Sequence, residues 1–330
     1  MRTITMEEIA RAAGVSRSHV SLAYRNAYGI KPEVREHILA VGRQLGYRHN
    51  RIAAQLAGGS TGTIGVYLQD LHNDLFADIF DGLRDVSEPA GRQLVLAIGH
   101  TDGSRDAAAL ETLLESRVEV IVAAGLMISD RDVFTVLGST PLVSIARHID
   151  TADSVVSDNA VGAHLAVNHL VELGHRRIAF LANPPTDGYG ERRAGYLATM
   201  RQHELNPQII EGSYSRRECA SIIAAMLLSA NTPTAIFAHN DQAALGAMDA
   251  IISAGLKPGV DISVVGYDNT GQSQSPSAAL TTIDIHGVEL GRMAGESVLI
   301  RLGNPEAPRT SHHVEPTLVV RATTGPPVRG

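Results

Sequence analysis

Asp70, His72, Asn240 and Asp268 each follow closely on a short apolar run that reads as a β-strand. Carboxylates accept hydrogen bonds, an amide donates and accepts, and an imidazole does either. At the carboxyl ends of strands in an open α/β sheet, such groups fix the orientation of a small polar ligand. Bond-breaking chemistry is poorly provided for. GxxxxGK(S/T) and HExxH are absent, and no GxGxxG follows a strand and opens a helix. Gly58-Gly59-Ser60-Thr61-Gly62 fits GxSxG. A nucleophile elbow needs a strand before it and a helix after it, whereas here the order is reversed, so the segment reads as a flexible joint. Among fourteen histidines, His312 and His313 are adjacent and would face opposite sides of a strand. His164 and His169 are five apart, off one helical face. Neither pair suits a metal, and no cofactor is expected.

The elements that must position these groups follow from periodicity. Strands are expected over 63–68, 93–98, 118–122, 142–145, 177–181, 234–238 and 262–265. Helices are expected between them, over 76–86, 160–173, 191–203, 241–254 and 288–302. This alternation predicts an α/β fold with parallel sheets flanked by helices, and the length suits two similar halves.

Residues 5–25 have a different character. Thr5 and Glu8 stand in capping-box spacing, and Ile9, Ala10 and Ala13 give a first helix over 6–13. Gly14 suits its left-handed end, Val15 the angle beyond, and Ser16 the cap of a second helix carrying Val20 and Ala23 inward. Two short helices around a Gly-containing turn form a helix-turn-helix, whose second helix enters the major groove of DNA. Pro32 opens a third helix with an apolar stripe at Val34, Ile38, Val41 and Leu45.

Charge supports the division. The chain of 330 residues has a net charge of −7, yet residues 1–60 hold nine basic side chains against four acidic. That head carries +5, leaving −12 for the rest. A basic head on an acidic body places any polyanion at the head. No apolar run approaches a membrane span, and acidic residues stand where a signal peptide needs an apolar core. With Cys219 as the lone cysteine, a reduced, cytoplasmic setting is expected.

Tyr47-Arg48-His49-Asn50-Arg51-Ile52-Ala53-Ala54-Gln55-Leu56-Ala57 resembles the YxPNxxAxxL hinge of the lactose/galactose repressor family of bacterial transcription regulators, with His49 in place of proline. The resemblance continues through Asp70-Leu71-His72-Asn73-Asp74-Leu75-Phe76, similar to DxxNPFF, and Leu173-Gly174-His175-Arg176-Arg177-Ile178-Ala179, similar to LGHRRIA. It extends to Asn240-Asp241-Gln242-Ala243-Ala244-Leu245-Gly246 and Asp261-Ile262-Ser263-Val264-Val265-Gly266-Tyr267-Asp268. It implies a helix-turn-helix head over 1–49, a hinge helix and linker over 50–62, and a two-lobed body over 63–330. That body looks like a type I periplasmic sugar-binding protein.

By that resemblance the chain is a homodimeric repressor on a pseudo-palindromic operator, its affinity set by a sugar or sugar derivative, and it is not an enzyme; the alternative is a periplasmic-type sugar-binding protein without a DNA-binding role, which the basic head opposes. Contacts to double-stranded DNA are then implied for Thr5, Ser16, Arg17, Ser18, His19, Ser21, Leu22 and Arg25 in the head. Tyr47, Asn50, Arg51, Ala53, Leu56 and Ala57 follow in the hinge. Arg17 either contacts guanine bidentately or grips a phosphate, and Leu22 either touches a thymine methyl or packs. Leu56 is implied as a minor-groove wedge, the alternative being that the segment is a fourth helix of the head.

For the effector, Arg192 is the implied donor and Asp268 the implied acceptor, with Asn240 doing both, and with Asp70 and His72 nearby. Phe76 and Tyr214 are walls for the apolar face of a ring. The alternatives are surface pairing of Arg192 with Asp187 or Glu191, and capping of the loop before Thr270 by Asp268. Arg147 either meets a ligand carboxylate or phosphate or forms a salt bridge.

Overall fold

Thr5 starts the chain's first helix by a reciprocal exchange. Its hydroxyl accepts from Glu8 N, and the Glu8 carboxylate accepts from Thr5 N at 2.8 Å. The computed structural model of the protein describes residues 4–24, 28–47, 61–182, 184, 189–229 and 231–328. It divides into two units, residues 1–61 and 62–330.

In the first unit, α1 (Met6–Ala13) ends at Gly14, whose φ of 67° is the left-handed conformation that glycine adopts without strain. Ser16 accepts from His19 N and caps α2 (Arg17–Tyr24). α3 (Pro32–Gln44) has proline in its first turn. Ile9, Ala10, Ala13, Val20, Ala23 and Ile38 form the core. A side chain at Gly42 would meet the Tyr24 hydroxyl, which would have to shift. Leu45, expected on the buried stripe of α3, is instead exposed: it lies beyond the last helical turn, where the core has already closed.

The second unit contains two six-stranded sheets. The first is built from β1 (Thr63–Leu68), β2 (Gln93–Ile98), β3 (Val120–Ala124), β4 (Leu142–Ile145), β5 (Asp153–Ser157) and the late strand β11 (Ser311–Val314). Its order is β11-β5-β4-β3-β1-β2, parallel throughout. The second is built from β6 (Ile178–Ala182), β7 (Gln208–Glu211), β8 (Ala235–Ala238), β9 (Ser263–Asp268), β10 (Thr281–Asp284) and β12 (Thr317–Val319). Its order is β12-β10-β9-β8-β6-β7, parallel except where β12 runs against β10. The central strands bury every residue, as sheets covered by helices on both faces demand. Each fully buried Val, Ile or Leu contributes about 1.5–3 kcal/mol.

The chain crosses between lobes at the helix Asn159–Glu172, at the helix Gly287–Gly303 and between β11 and β12. The returning helix packs on Leu75–Ser87 of the first lobe at close range. A side chain at Gly82 would meet the Val288 carbonyl, and one at Gly291 the Ile79 carbonyl. Arg301 then pairs with buried Asp153 through Nε and Nη2, both at 3.0 Å, which seats the crossover on the first sheet. Among the described residues, no helix is long and apolar enough to cross a membrane.

Candidate functional site

The carboxyl ends of both sheets open on one cleft of about 910 Å³ between the lobes of the second unit. Residues at strand ends line it: Gln69 and Asp70 after β1, Ala146 after β4, Ser157 at the end of β5, His239 and Asn240 after β8, and Asp268. Asp268 was expected just beyond its strand, but is the strand's last residue, opposite Asp284 on β10. Its φ of 108° is in the left-handed region, a strained conformation for a residue with a side chain and one that concentrates at ligand sites.

Arg192 is buried in the cleft at 6% exposure, not on the surface. Its Nε donates to Asn159 Oδ1 at 2.7 Å and its Nη1 to the His239 carbonyl at 2.7 Å. Its guanidinium lies 3.8 Å from the Tyr267 ring centroid, a cation–π contact. Glu191, the surface partner considered for it, instead accepts from Asn159 Nδ2. Three contacts therefore fix the plane of the guanidinium. Its Nη2 stands 3.8 Å from Asp268 Oδ1, near enough for Coulomb attraction but too far for a hydrogen bond.

Burial pushes the Asp268 carboxyl up to about 7, with Arg192 opposing that rise and Asp241 adding to it. Burial, and then the Arg192 charge, hold His239 well below its ordinary range, so this imidazole is neutral at pH 7. Behind Asp268, the Asp241 carboxylate accepts from Thr270 N, Thr270 Oγ1 and Thr282 Oγ1, and burial raises it to about 6. The Thr270 amide is thus capped by Asp241, not by Asp268.

Other expected residues sort by place. Phe76 is buried and walls the cleft, and Tyr214 lines it, with its hydroxyl donating to the Pro184 carbonyl. Asn240 lines the cleft and also caps the helix Asp241–Ser253, accepting from Ala243 N. Asp70 lines the mouth and accepts from His72 N and Nδ1. Arg147 does not line the cleft. Its Nη1 donates to the carbonyls of Leu126 and Ile128, and its Nη2 pairs with Asp130 at 2.9 Å. Those carbonyls need donors, so Arg147 is the salt-bridge case, and Ala146 lines the cleft. Sequence reasoning missed Asn159, His239 and Asn73. Asn73 Nδ2 donates to Asp268 Oδ2. The signal for it was present, since Asn73 lies inside the loop 70–76 that carries the family resemblance. Among the described residues, no three His, Cys, Asp or Glu side chains are grouped to hold a metal.

In the first unit, Ser16, Arg17, Ser18 and His19 are exposed at the start of α2, and Ser21 and Leu22 are half-buried one turn on. Thr5 and Ser16 also cap helices, and Ser16 Oγ lies 2.9 Å from His19 Nδ1. Tyr47 packs its ring on Tyr24, centroids 5.1 Å apart, and so is tied to the core of this unit. Arg25, Asn50, Arg51, Ala53, Leu56 and Ala57 lie outside the described residues.

Comparison with known proteins follows the same division. Residues 5–50 match the bacterial regulatory proteins of the lacI family, and residues 167–324 match a periplasmic binding protein-like domain. The chain is 30% identical to the ribose operon repressor of Haemophilus influenzae over 324 residues, covering 96% of this chain and 97% of that one. It is 32% identical to the lactose operon repressor of Escherichia coli over 332 residues, covering 98% and 91%. The solved lac repressor dimer bound to operator and the anti-inducer ONPF superposes with a TM-score of 0.85 at 31% identity, covering 98% of this chain and 100% of that one. The chain belongs to the lacI family of bacterial regulatory proteins, and it is a DNA-binding transcription regulator, not an enzyme.

Proposed function

We propose that this protein is a cytoplasmic, dimeric repressor of a pseudo-palindromic operator, and that a sugar or sugar derivative in the interlobe cleft releases it. One observation carries the effector half. Gln69 Nε2, Ser157 Oγ and Asp268 Oδ1 are buried polar atoms without a hydrogen-bond partner among the described residues, and all three residues line the same cleft. Each such atom costs about 1–3 kcal/mol. A donor, a hydroxyl and an acceptor around one space suit a ligand bearing several hydroxyls, and Phe76 supplies an apolar wall for its ring.

For the DNA half, the exposed start of α2 is the base-reading surface, with Arg17, Ser18 and Leu22 reaching the major groove. The segment from Asn50 to Ala57 acts as the hinge, with Leu56 as the wedge. Coupling follows from linkage. A ligand that binds one orientation of the two lobes more tightly shifts the population toward it, and lobe orientation sets the spacing of the two hinges.

The test is a calorimetric titration of the full chain against free sugars, sugar phosphates and uronic acids, with Arg192→Ala as control. Saturable heat that disappears in the variant supports the reading. Binding that survives Arg192→Ala unchanged removes the cleft from it.

A further inference from the structure

Arg17, the first residue of α2, does not stand alone. Its Nε lies 2.7 Å from Glu7 Oε1 on α1, and both side chains are largely exposed, at 70% and 57%. The neighbouring Glu8 is committed to the capping box, so Glu7 is the acid of this turn that is available to another helix. The first turn of α2 contains no acidic residue of its own.

A carboxylate beside a surface that meets a polyanion is a cost, because it repels phosphate. Its position here points to a use. With Glu7 on its Nε side, the guanidinium can turn its terminal nitrogens outward as a fork. That fork matches the paired acceptors O6 and N7 on the major-groove edge of guanine. The same carboxylate disfavours a phosphate at that spot, since two anions would then share one cation. A guanine edge brings acceptors without a full negative charge and fits between them.

We propose that Glu7 is a positioning residue: it holds Arg17 for a guanine edge and turns it away from the DNA backbone. The inference rests on Arg17 facing the major groove. Glu7 trades overall affinity for discrimination, and its loss would make Arg17 an ordinary phosphate grip.

The experiment begins by selecting an operator from randomised duplex DNA with the full-length protein. Binding is then measured to that operator and to versions in which each guanine in turn is replaced by 7-deazaguanine, which lacks the N7 acceptor. For the wild type, one replacement per half-site is expected to weaken binding roughly tenfold or more. Arg17→Ala should be indifferent to that replacement. Glu7→Gln should shrink the penalty to within about threefold, bind random-sequence DNA more tightly than wild type, and show a steeper dependence on salt. Glu7→Asp should restore part of the discrimination. Circular dichroism checks that the exposed substitutions leave the helices folded. If Arg17→Ala keeps the full penalty, Arg17 does not read that base, and both the reading of α2 and this inference fail. If Arg17→Ala loses the penalty while Glu7→Gln keeps it, Arg17 reads guanine unaided and the inference alone is overturned.

Discussion

Asn73 and Asp268, 195 residues apart in the chain, are joined across the cleft by a hydrogen bond of 3.0 Å from Nδ2 to Oδ2. Asn73 Oδ1 accepts from Leu75 N, which fixes the amide so that its donor faces the second lobe. A second bond, from Gln242 Nε2 to the His72 carbonyl at 2.9 Å, bridges the lobes one residue away. The carboxylate proposed to meet the effector thus already has a partner from the opposite lobe, and its other oxygen has no hydrogen-bond partner among the described residues.

Asn73→Ala removes that bridge and leaves a buried carboxyl oxygen without its donor. The expected cost is about 1–2 kcal/mol, read as a fall in melting temperature of roughly 2–4 °C per kcal/mol for a body of this size. Calorimetry of the ligand-free protein measures it. An unchanged melting temperature would mean that the bond contributes nothing to the free state.

The raised Asp268 carboxyl gives a pH dependence of definite sign. Its ordinary value is 3.8, and burial lifts it to about 7 in the folded chain. Between those values the folded state holds a proton that the unfolded state releases. The contribution to stability is therefore full below pH 4, and it is lost as pH rises toward 7. Asp268→Asn lacks this group, so the variant should gain on the wild type as pH rises from 4.5 to 7.5. Asp241, raised to about 6, contributes the same sign in both proteins and cancels in the difference. Urea unfolding of both proteins across that range measures it, and a constant difference would contradict the assignment.

Arg147→Ala tests the separation of Arg147 from the cleft. It orphans the Leu126 and Ile128 carbonyls, so stability should fall by about 1–3 kcal/mol while the set of sugars bound stays the same. Loss of a sugar phosphate or uronic acid from that set would return Arg147 to the ligand.

Leu56→Ala tests the hinge. Operator affinity should drop by roughly ten- to a hundredfold, since the wedge supports the bent DNA, while effector affinity is unchanged. Equal operator affinity would show that Leu56 does not enter the groove.

Much of the fold is legible in the sequence because its central strands are continuous apolar runs. Residues 63–68, 93–98 and 142–145 were read with the same bounds as the structure has. The strands not read are short or polar: Asp153–Ser157, Gln208–Glu211, Thr281–Asp284, Ser311–Val314 and Thr317–Val319. They exist because a neighbouring strand offers free backbone groups, which no local pattern records. The cleft divides the same way. Asp268 and Arg192 were legible through motif and strand position. Asn159 was not, because it opens a helix after a strand that was itself unread, and asparagine there looks like a cap. Ala146 and Arg147 show the limit of strand-end reasoning. Both follow β4, and a step of one residue separates the cleft from the carbonyls behind it.

The most direct test of the coupling is fluorescence anisotropy of a labelled operator, titrated with the sugar that calorimetry identifies, for the wild type and for Asp268→Ala. The sugar should release the wild type from its operator. Asp268→Ala should bind the operator normally and no longer respond. A variant that still responds at the same sugar concentration would place the effector site elsewhere and contradict the central claim.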